Sequence, residues 1–347
     1  MSPENVQEDL AEELLPAAVA FEKGAASGTA TRHVVAFKFG GTSLLGAERM
    51  FHAAGLVRDA AKSSQVAVIV SAMKGVTDRL LAISQWLENG QWLRARTEAE
   101  AAVQFHLDVL SELRLEETAE QRVRHELRLL GRDLLHEVPA EAHGARPPFI
   151  DAAWQDRLAS FGERFSARLF SAALEKSGVA SVPVSSSDFV VTCDTFRDAK
   201  PDLHETRRRG REILLPLFED GLVPVVTGFL GATRDGRVTT LGRNSSDYSG
   251  AIIAHVVDAD ELVIWTDVDG VFTANPNESA EATLLHELSY DEAHALASSG
   301  ARVLHANVLP LAAEREMLVW VRNTFKPHNR GTKIGPMNRN ASRRGDA

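Results

Sequence analysis

Two hydrophobic periods alternate along the chain. Short apolar runs rich in β-branched residues, at 34–39, 66–70, 179–184, 222–227, 261–265 and 318–321, have the length and composition of buried strands. Between them lie stretches whose apolar residues recur three and four apart, which predicts amphipathic helices over 48–62, 151–174, 201–219 and from about 246 to 257. Residues 80–137 are almost continuously helix-forming, with breaks near Asn89-Gly90 and at 115–118, and the 139–148 stretch with its prolines ends that run. Strands that alternate with helices predict an α/β fold, a three-layer αβα sandwich with a mainly parallel central sheet.

Punctuation residues refine this picture. Gly221 is a C-cap candidate, and Ser289 with Glu292 reads as a capped helix start. Arg234-Asp235-Gly236-Arg237 predicts a hairpin with a two-residue loop, Asp-Gly supplying the positive-φ pair. Gly162, inside a helical pattern, predicts close approach of another segment, because an interior glycine costs about 1 kcal/mol relative to alanine. Arg207-Arg208-Arg209 reads as a solvated helix face.

Composition narrows the classes. The 347 residues suffice for one large α/β domain or two smaller ones. Cys193 is the sole cysteine, so no intramolecular disulfide forms and nothing argues for secretion. The apolar runs are too short to span a bilayer, and the expected location is the cytoplasm. A net charge of −10 with pI near 5.7 disfavours nucleic acid and anionic membranes as partners, so an anionic ligand must be held by a local cluster of donors. Residues 1–32 read as a flexible N-terminal extension, 33–335 as the folded α/β region and 336–347 as a disordered basic tail.

Candidate chemistry gathers at the strand ends. Val34-Val35-Ala36-Phe37-Lys38-Phe39-Gly40-Gly41-Thr42-Ser43 ends a strand on lysine and turns through two glycines past two hydroxyls, a combination suited to phosphate. It is not the P-loop, whose lysine follows the second glycine; taken alone it is equally an ordinary strand-to-helix turn. Ser71-Ala72-Met73-Lys74-Gly75-Val76-Thr77-Asp78 follows the next strand and reads either as an anion-holding helix start or as a plain cap. Glu163 faces a site or, on residue type alone, pairs at the surface with Arg164 or Arg168. Arg243 stands before Ser246 and Asp247 at a helix mouth, a credible carboxylate or phosphate site. Thr266 and Asp267 close a strand at the edge where ligands bind in such sheets.

Seven stretches, KFGGTS at 38–43, VSAMKGVTD at 70–78, FGERFS at 161–166, TGFLG at 227–231, TTLGRNSSDYS at 239–249, WTDVDGVFTANP at 265–276 and GARVLH at 300–305, together resemble the catalytic domain of aspartokinases, in the amino-acid kinase (carbamate kinase-like) family. Ser246-Asp247-Tyr248 and Arg322-Asn323-Thr324 are similar to the branch that includes aspartokinase–homoserine dehydrogenases. The resemblance implies an amino-acid-binding lobe over 33–220, a nucleotide-binding lobe over 221–335, and transfer of the γ-phosphate of ATP to the side-chain carboxylate of L-aspartate. It implies catalytic roles for Lys38, Asp247 and Arg302. Aspartate would be surrounded by Ser71, Ala72, Thr77, Glu163, Phe229, Arg243 and Ser246. The nucleotide would lie against Lys38, Gly40, Gly41, Thr42, Ser43, Thr266, Asp267, Phe272, Asn277 and Arg302. Magnesium would come with ATP, without a dedicated protein site, and a homodimer through the kinase domain is the expected assembly.

Departures from the family pattern accompany the matches. Asn277 stands where arginine is usual, Arg302 where lysine is common, Ser245 where glycine is usual and Ala306 in place of proline. These leave two alternatives: a kinase for a related amino acid or carboxylate, or a weakly active nucleotide- or amino-acid-binding subunit. The regulated members continue into paired ACT domains; none follows Lys333 in this sequence, and insensitivity to lysine and threonine is the expectation.

Overall fold

The computed structural model describes residues 33–138, 150–242, 245–274, 281–298 and 304–336. The expected extension 1–32, the tail from 337 on, and Arg243, Asn277 and Arg302 lie outside the described residues. Strand β1 (Val34–Phe39) leads through a 3-10 turn (Gly41–Leu44) into α1 (Ala47–Ala61), followed by β2 (Gln65–Val70). Four helices come next, α2 (Val76–Glu88), α3 (Trp92–Leu113), α4 (Glu117–Glu137) and α5 (Ala152–Lys176). The chain continues through β3 (Ser181–Val184), β4 (Val191–Thr192), α6 (Leu203–Glu219), β5 (Val223–Thr227), β6 (Leu230–Thr233), β7 (Val238–Thr240), α7 (Ser246–Val256) and β8 (Glu261–Thr266). It ends with β9 (Val271–Phe272), β10 (Leu284–Leu285), β11 (Glu287–Ser289), α8 (Tyr290–Ser298), α9 (Val308–Glu314), β12 (Leu318–Asn323) and β13 (Thr332–Gly335).

Eight strands form one sheet in the order β11-β13-β12-β8-β1-β2-β5-β3, parallel throughout except for the β12–β13 pair. β1 is therefore central, and strands from both halves of the chain share the sheet. The two-residue period of a strand sends alternate side chains to opposite layers. Val35, Phe37 and Phe39 join the cluster built with α1 to α5, whereas Ala36 faces the second cluster, built with α6, α7 and α9. This is the three-layer αβα sandwich with a mainly parallel sheet that the alternation of periods predicts. Asp151 caps α5 by accepting from the Trp154 N–H at 2.7 Å, and Ser289 and Glu292 form a reciprocal capping box at the start of α8.

Local expectations fare unevenly. Gly162 does sit at a close approach: a Cβ there would lie 2.7 Å from the Ala72 Cβ. The β6–β7 hairpin exists, but its loop is longer than two residues. Thr233 pairs with both Gly236 and Arg237, and only Gly236, at φ +86°, takes the left-handed conformation. Asp235 is not in that region, because its carboxylate accepts from the Thr233 hydroxyl and holds a tighter local turn. The arginine run is not uniformly solvated either. Arg207 grips both carboxylate oxygens of Asp258 at 2.8 Å, which ties α6 to the turn after α7, while Arg208 and Arg209 pair with Glu205. Among the described residues no helix is long and apolar enough to cross a membrane.

Helix α7 lies on β1 because Gly250 has no side chain. A Cβ at 250 would come 3.2 Å from the Lys38 Cβ and 3.3 Å from Leu262 Cδ1. Gly250→Val should therefore destabilise the fold by about 1–3 kcal/mol through overpacking. The control is Gly55→Ala in α1, where nothing lies within 4 Å of the added Cβ, and which should gain up to about 1 kcal/mol from helix propensity. Urea unfolding of the two variants checks the opposite signs.

Candidate functional site

Four neighbouring parallel strands, β8, β1, β2 and β5, end on the same edge of the sheet. In register, Phe39 stands between Trp265 and Val70, and Val70 stands beside Thr227. Their following loops carry Thr266-Asp267, Gly40-Gly41-Thr42-Ser43, Ser71-Ala72 and Gly228-Phe229 respectively. Nine of the site residues singled out from sequence are thus gathered by topology alone.

The alternation that sends Phe37 and Phe39 to one layer sends Lys38 to the other, toward α7. Asp247 lies one helical turn before Gly250, so both share the α7 face that meets β1. The close approach at Gly250 lets the two charges meet: Lys38 Nζ is 2.6 Å from Asp247 Oδ1, and Lys38 is only 6% exposed. Gly40 follows immediately, and a Cβ there would lie 3.8 Å from the Lys38 ammonium. A buried cation beside a glycine turn, with a helix N-terminus opposite, is an arrangement that can neutralise and hold phosphate oxygens.

The adjoining junction is also tightly built. Gly41 admits no side chain, since a Cβ would fall 2.4 Å from the Ala72 carbonyl oxygen, and its own carbonyl accepts from the Lys74 N–H at 3.1 Å. Glu163 of α5 is 3% exposed and accepts from the Ala72 N–H at 3.0 Å, so it is not a surface partner of Arg164 or Arg168. Burial pushes its carboxyl up to about 8, against the opposing pull of the Ala72 hydrogen bond. Glu163 Oε2, Ser71 Oγ and Ser166 Oγ, the last one turn along α5, are buried without a hydrogen-bond partner. Unsatisfied buried polar atoms of this kind mark a place where a polar ligand group or water completes the set.

The remaining candidates fall into place with differing closeness. Thr77 is in the first turn of α2, whose N-cap is Gly75 in the left-handed conformation without a side-chain cap. Phe229 holds φ +66°, a strained value for a non-glycine residue, and its N–H donates to Ser249 Oγ at 2.7 Å. Ser246 begins α7 beside Gly228, whose added Cβ would lie 3.7 Å from the Ser246 Cβ. Ser245, standing where glycine is usual, is fully buried; its hydroxyl donates to the Gly242 carbonyl at 2.6 Å, so the turn has accommodated it. Phe272 sits on the β9–β10 ribbon rather than at a strand end of the main sheet.

Two groups were missed by sequence reasoning. Thr324 and Asn323 at the end of β12 brace the site's other flank. The Thr324 hydroxyl bonds Ser43 Oγ at 2.7 Å, its N–H donates to the Thr266 carbonyl at 2.8 Å, and Asn323 Nδ2 donates to Asp269 at 2.5 Å. Their position at the end of a parallel strand was the available signal. The second group is Asp156, a buried carboxylate seven residues before Glu163 on α5. A surface depression of about 610 Å³, lined by residues such as Cys193, Lys200, Arg234 and Arg237, lies by the small β4-β6-β7 sheet and contains none of the strand-end candidates. Its lysine and arginines are already paired with Asp198, Asp202 and Asp235.

A three-layer sheet with a buried lysine and a diglycine turn at its central strand end describes a class of small-molecule phosphotransferases, and the chain belongs to the amino acid kinase family, whose profile matches residues 33–323. Within that family it is similar to aspartokinases. The lysine-sensitive aspartokinase 3 of Escherichia coli is 32% identical, over 87% of this chain and 64% of the relative. The chloroplastic aspartokinase 1 of Arabidopsis thaliana is 32% identical, over 86% of this chain and 51% of the relative. The chain thus spans between half and two thirds of the length of these relatives. Escherichia coli aspartokinase III solved with aspartate and ADP superposes with a TM-score of 0.79 at 30% identity, covering 89% of this chain and 66% of that one.

The raised Glu163 pKa has a consequence for stability. The folded chain keeps this proton up to about pH 8, whereas the unfolded chain releases it near 4.5. The native state binds the extra proton between those values, so the stability it contributes is full below the lower value and is lost as pH rises through the upper one. Urea midpoints of the ligand-free chain, taken from about pH 5 to about pH 8, should fall more steeply than those of Glu163→Gln. Parallel pH profiles would refute the protonated, buried state.

Proposed function

We propose that the chain is an aspartate kinase that transfers the γ-phosphate of ATP to the side-chain carboxylate of L-aspartate, giving ADP and 4-phospho-L-aspartate. The observation that carries this reading is the Lys38–Asp247 pair at the diglycine turn, one strand away from the Ser71-Ala72 loop against which Glu163 is buried. The attacking carboxylate is already ionised at neutral pH, so no general base is needed. Catalysis consists of alignment and of neutralising charge on the transferred phosphoryl group.

In this reading Lys38 and the Gly40-Gly41 amides take the phosphate oxygens, with Asp247 holding the lysine in place until nucleotide arrives. Glu163 faces the substrate ammonium, which draws the carboxyl into its charged form and completes the unsatisfied junction with Ser71 and Ser166. Arg243 pairs with a substrate carboxylate, with Phe229, Ser246, Ala72 and Thr77 around it. Thr266, Asp267 and Phe272 flank the nucleoside, and Arg302 and Asn277 complete the phosphate end. Magnesium is assigned to the nucleotide oxygens and water, because this small hard ion keeps several waters and needs few protein carboxylates. We assign the activity to the cytoplasm and to a homodimer formed through the kinase domain.

Trapping the acyl phosphate as its hydroxamate, with ATP and a panel of amino acids, tests the assignment. Turnover with aspartate is expected. Turnover confined to another acid, or nucleotide binding without any hydroxamate, contradicts it. Lys38→Met, which keeps the stem and removes the charge, should lower turnover by about 100-fold or more, with a folded far-UV spectrum. Retained turnover would mean the phosphate lies elsewhere.

A further inference from the structure

Helix α5 carries a second buried carboxylate that the phosphoryl-transfer scheme does not use. Asp156 is 2% exposed and lies two turns before Glu163, on the same face of the helix. It accepts three hydrogen bonds. Oδ2 takes the N–H groups of Arg197 and Thr240, both at 2.9 Å, and Oδ1 takes the Thr240 hydroxyl at 2.8 Å. The donors come from segments 41 and 84 residues away in sequence. Burial raises the pKa of Asp156 above the ordinary carboxylate value, against these hydrogen bonds.

The segments hung on Asp156 lead directly to Phe229, one of the residues assigned above to the amino acid. Thr240 is the last residue of β7, and the next residue, Leu241, donates to the Phe229 carbonyl at 2.9 Å. Gly242 follows at φ +91°, where a Cβ would fall 2.9 Å from Asp198 Oδ1. The loop that carries Asp198 is fastened to the same point, since the Ala199 N–H donates to the Thr240 carbonyl at 2.9 Å. Downstream, Ser245 returns to the Gly242 carbonyl through both its N–H and its hydroxyl. Gly242 is thus tied on both sides, to Leu241 upstream and to Ser245 downstream, and Asp156 is the upstream anchor.

We propose that Asp156 is a positioning residue for the amino-acid substrate: with Glu163 on the same helix, it fixes the separation between the Ala72–Glu163 backbone contact and the Phe229–Leu241 backbone contact at the end of β7. The proposal rests on the assignment of Glu163 and Phe229 to the amino-acid substrate. What the anchor supplies is hydrogen-bond acceptance rather than charge. An asparagine can keep all three bonds, its carbonyl taking the two N–H groups and its amide donating to a reversed Thr240 hydroxyl. Alanine leaves the buried Thr240 N–H and the part-buried Arg197 N–H unpaired and frees the turn.

Steady-state kinetics of Asp156→Ala, Asp156→Asn and Thr240→Val separate positioning from mere stability. For Asp156→Ala the KM for the amino acid should rise about tenfold or more, because small displacements of a binding group are costly, while the KM for MgATP changes by less than about twofold. Asp156→Asn should restore the amino-acid KM to within about threefold of wild type, with Thr240→Val between them. Equal rises in both KM values, or unchanged KM values with only a lower melting temperature, would overturn the proposal. Amide exchange provides the second measurement. Asp156→Ala should lose protection at residues 197–199 and 240–242 and keep it at 40–43; retained protection at 240–242 would overturn the anchor itself. If the wild-type chain turns over no amino acid, the kinase assignment fails, and the exchange result still decides whether Asp156 holds the turn.

Discussion

The site depends on one buried ion pair, Lys38 with Asp247 at 2.6 Å, and on the geometry that lets it form. Strand alternation turns Lys38 toward α7, helical periodicity places Asp247 and Gly250 on the face that meets it, and the missing side chain at 250 closes the gap. A buried pair of this kind gives little net stability, because desolvation offsets most of the attraction, yet removing one partner leaves an uncompensated charge. Its value here is that a lysine is held desolvated and oriented at the central strand end. In the proposed kinase, an incoming phosphate replaces one anion by another without the lysine having to be dried or ordered.

Around this pair the sheet acts as a frame with α5 as a crossbar. Register sets four strand ends side by side, and glycines at 41, 162 and 250 bring their loops and helices to contact distances where a Cβ would strain or clash. Helix α5 then presents two buried carboxylates at fixed spacing, Glu163 against Ala72 and Asp156 against Thr240 and Arg197. Glu163 is the less satisfied of the two, with Oε2 buried and unpartnered, whereas both oxygens of Asp156 are engaged. That contrast separates a group waiting for a ligand from one that holds the wall.

Most of the sheet was legible in the sequence because its information is local. Branched runs of strand length, prolines and glycines at helix ends, and polar loops after strands each report on their own neighbourhood, and β1, β2, β5, β8 and β12 fall where those signals put them. The order of strands and the meeting of Lys38 with Asp247 are long-range facts that no local pattern reports; the resemblance to a family offered only a catalytic role for each residue. Asp156 was illegible because its donors lie 41 and 84 residues away, and an acid near the start of a helix looks like any other. Arg207 was misread for the same reason, since nothing beside it in sequence announces Asp258 across the layer. The hairpin loop differed because a side-chain hydrogen bond, Thr233 to Asp235, outweighed the backbone preference of an Asp-Gly pair.

The central claim is that Lys38 and Asp247 act as one unit buried between β1 and α7. A double-mutant cycle on unfolding free energy, with Lys38→Met, Asp247→Leu and the pair together in ligand-free protein, tests it most directly. Asp247→Leu should cost about 3–5 kcal/mol by stranding the buried lysine, Lys38→Met should cost less because Asp247 is partly exposed, and the double variant should cost less than the two singles combined, with a coupling of about 1 kcal/mol or more. Additive losses within about 0.5 kcal/mol would contradict the account, because two residues that do not depend on one another cannot form the anchor of the site.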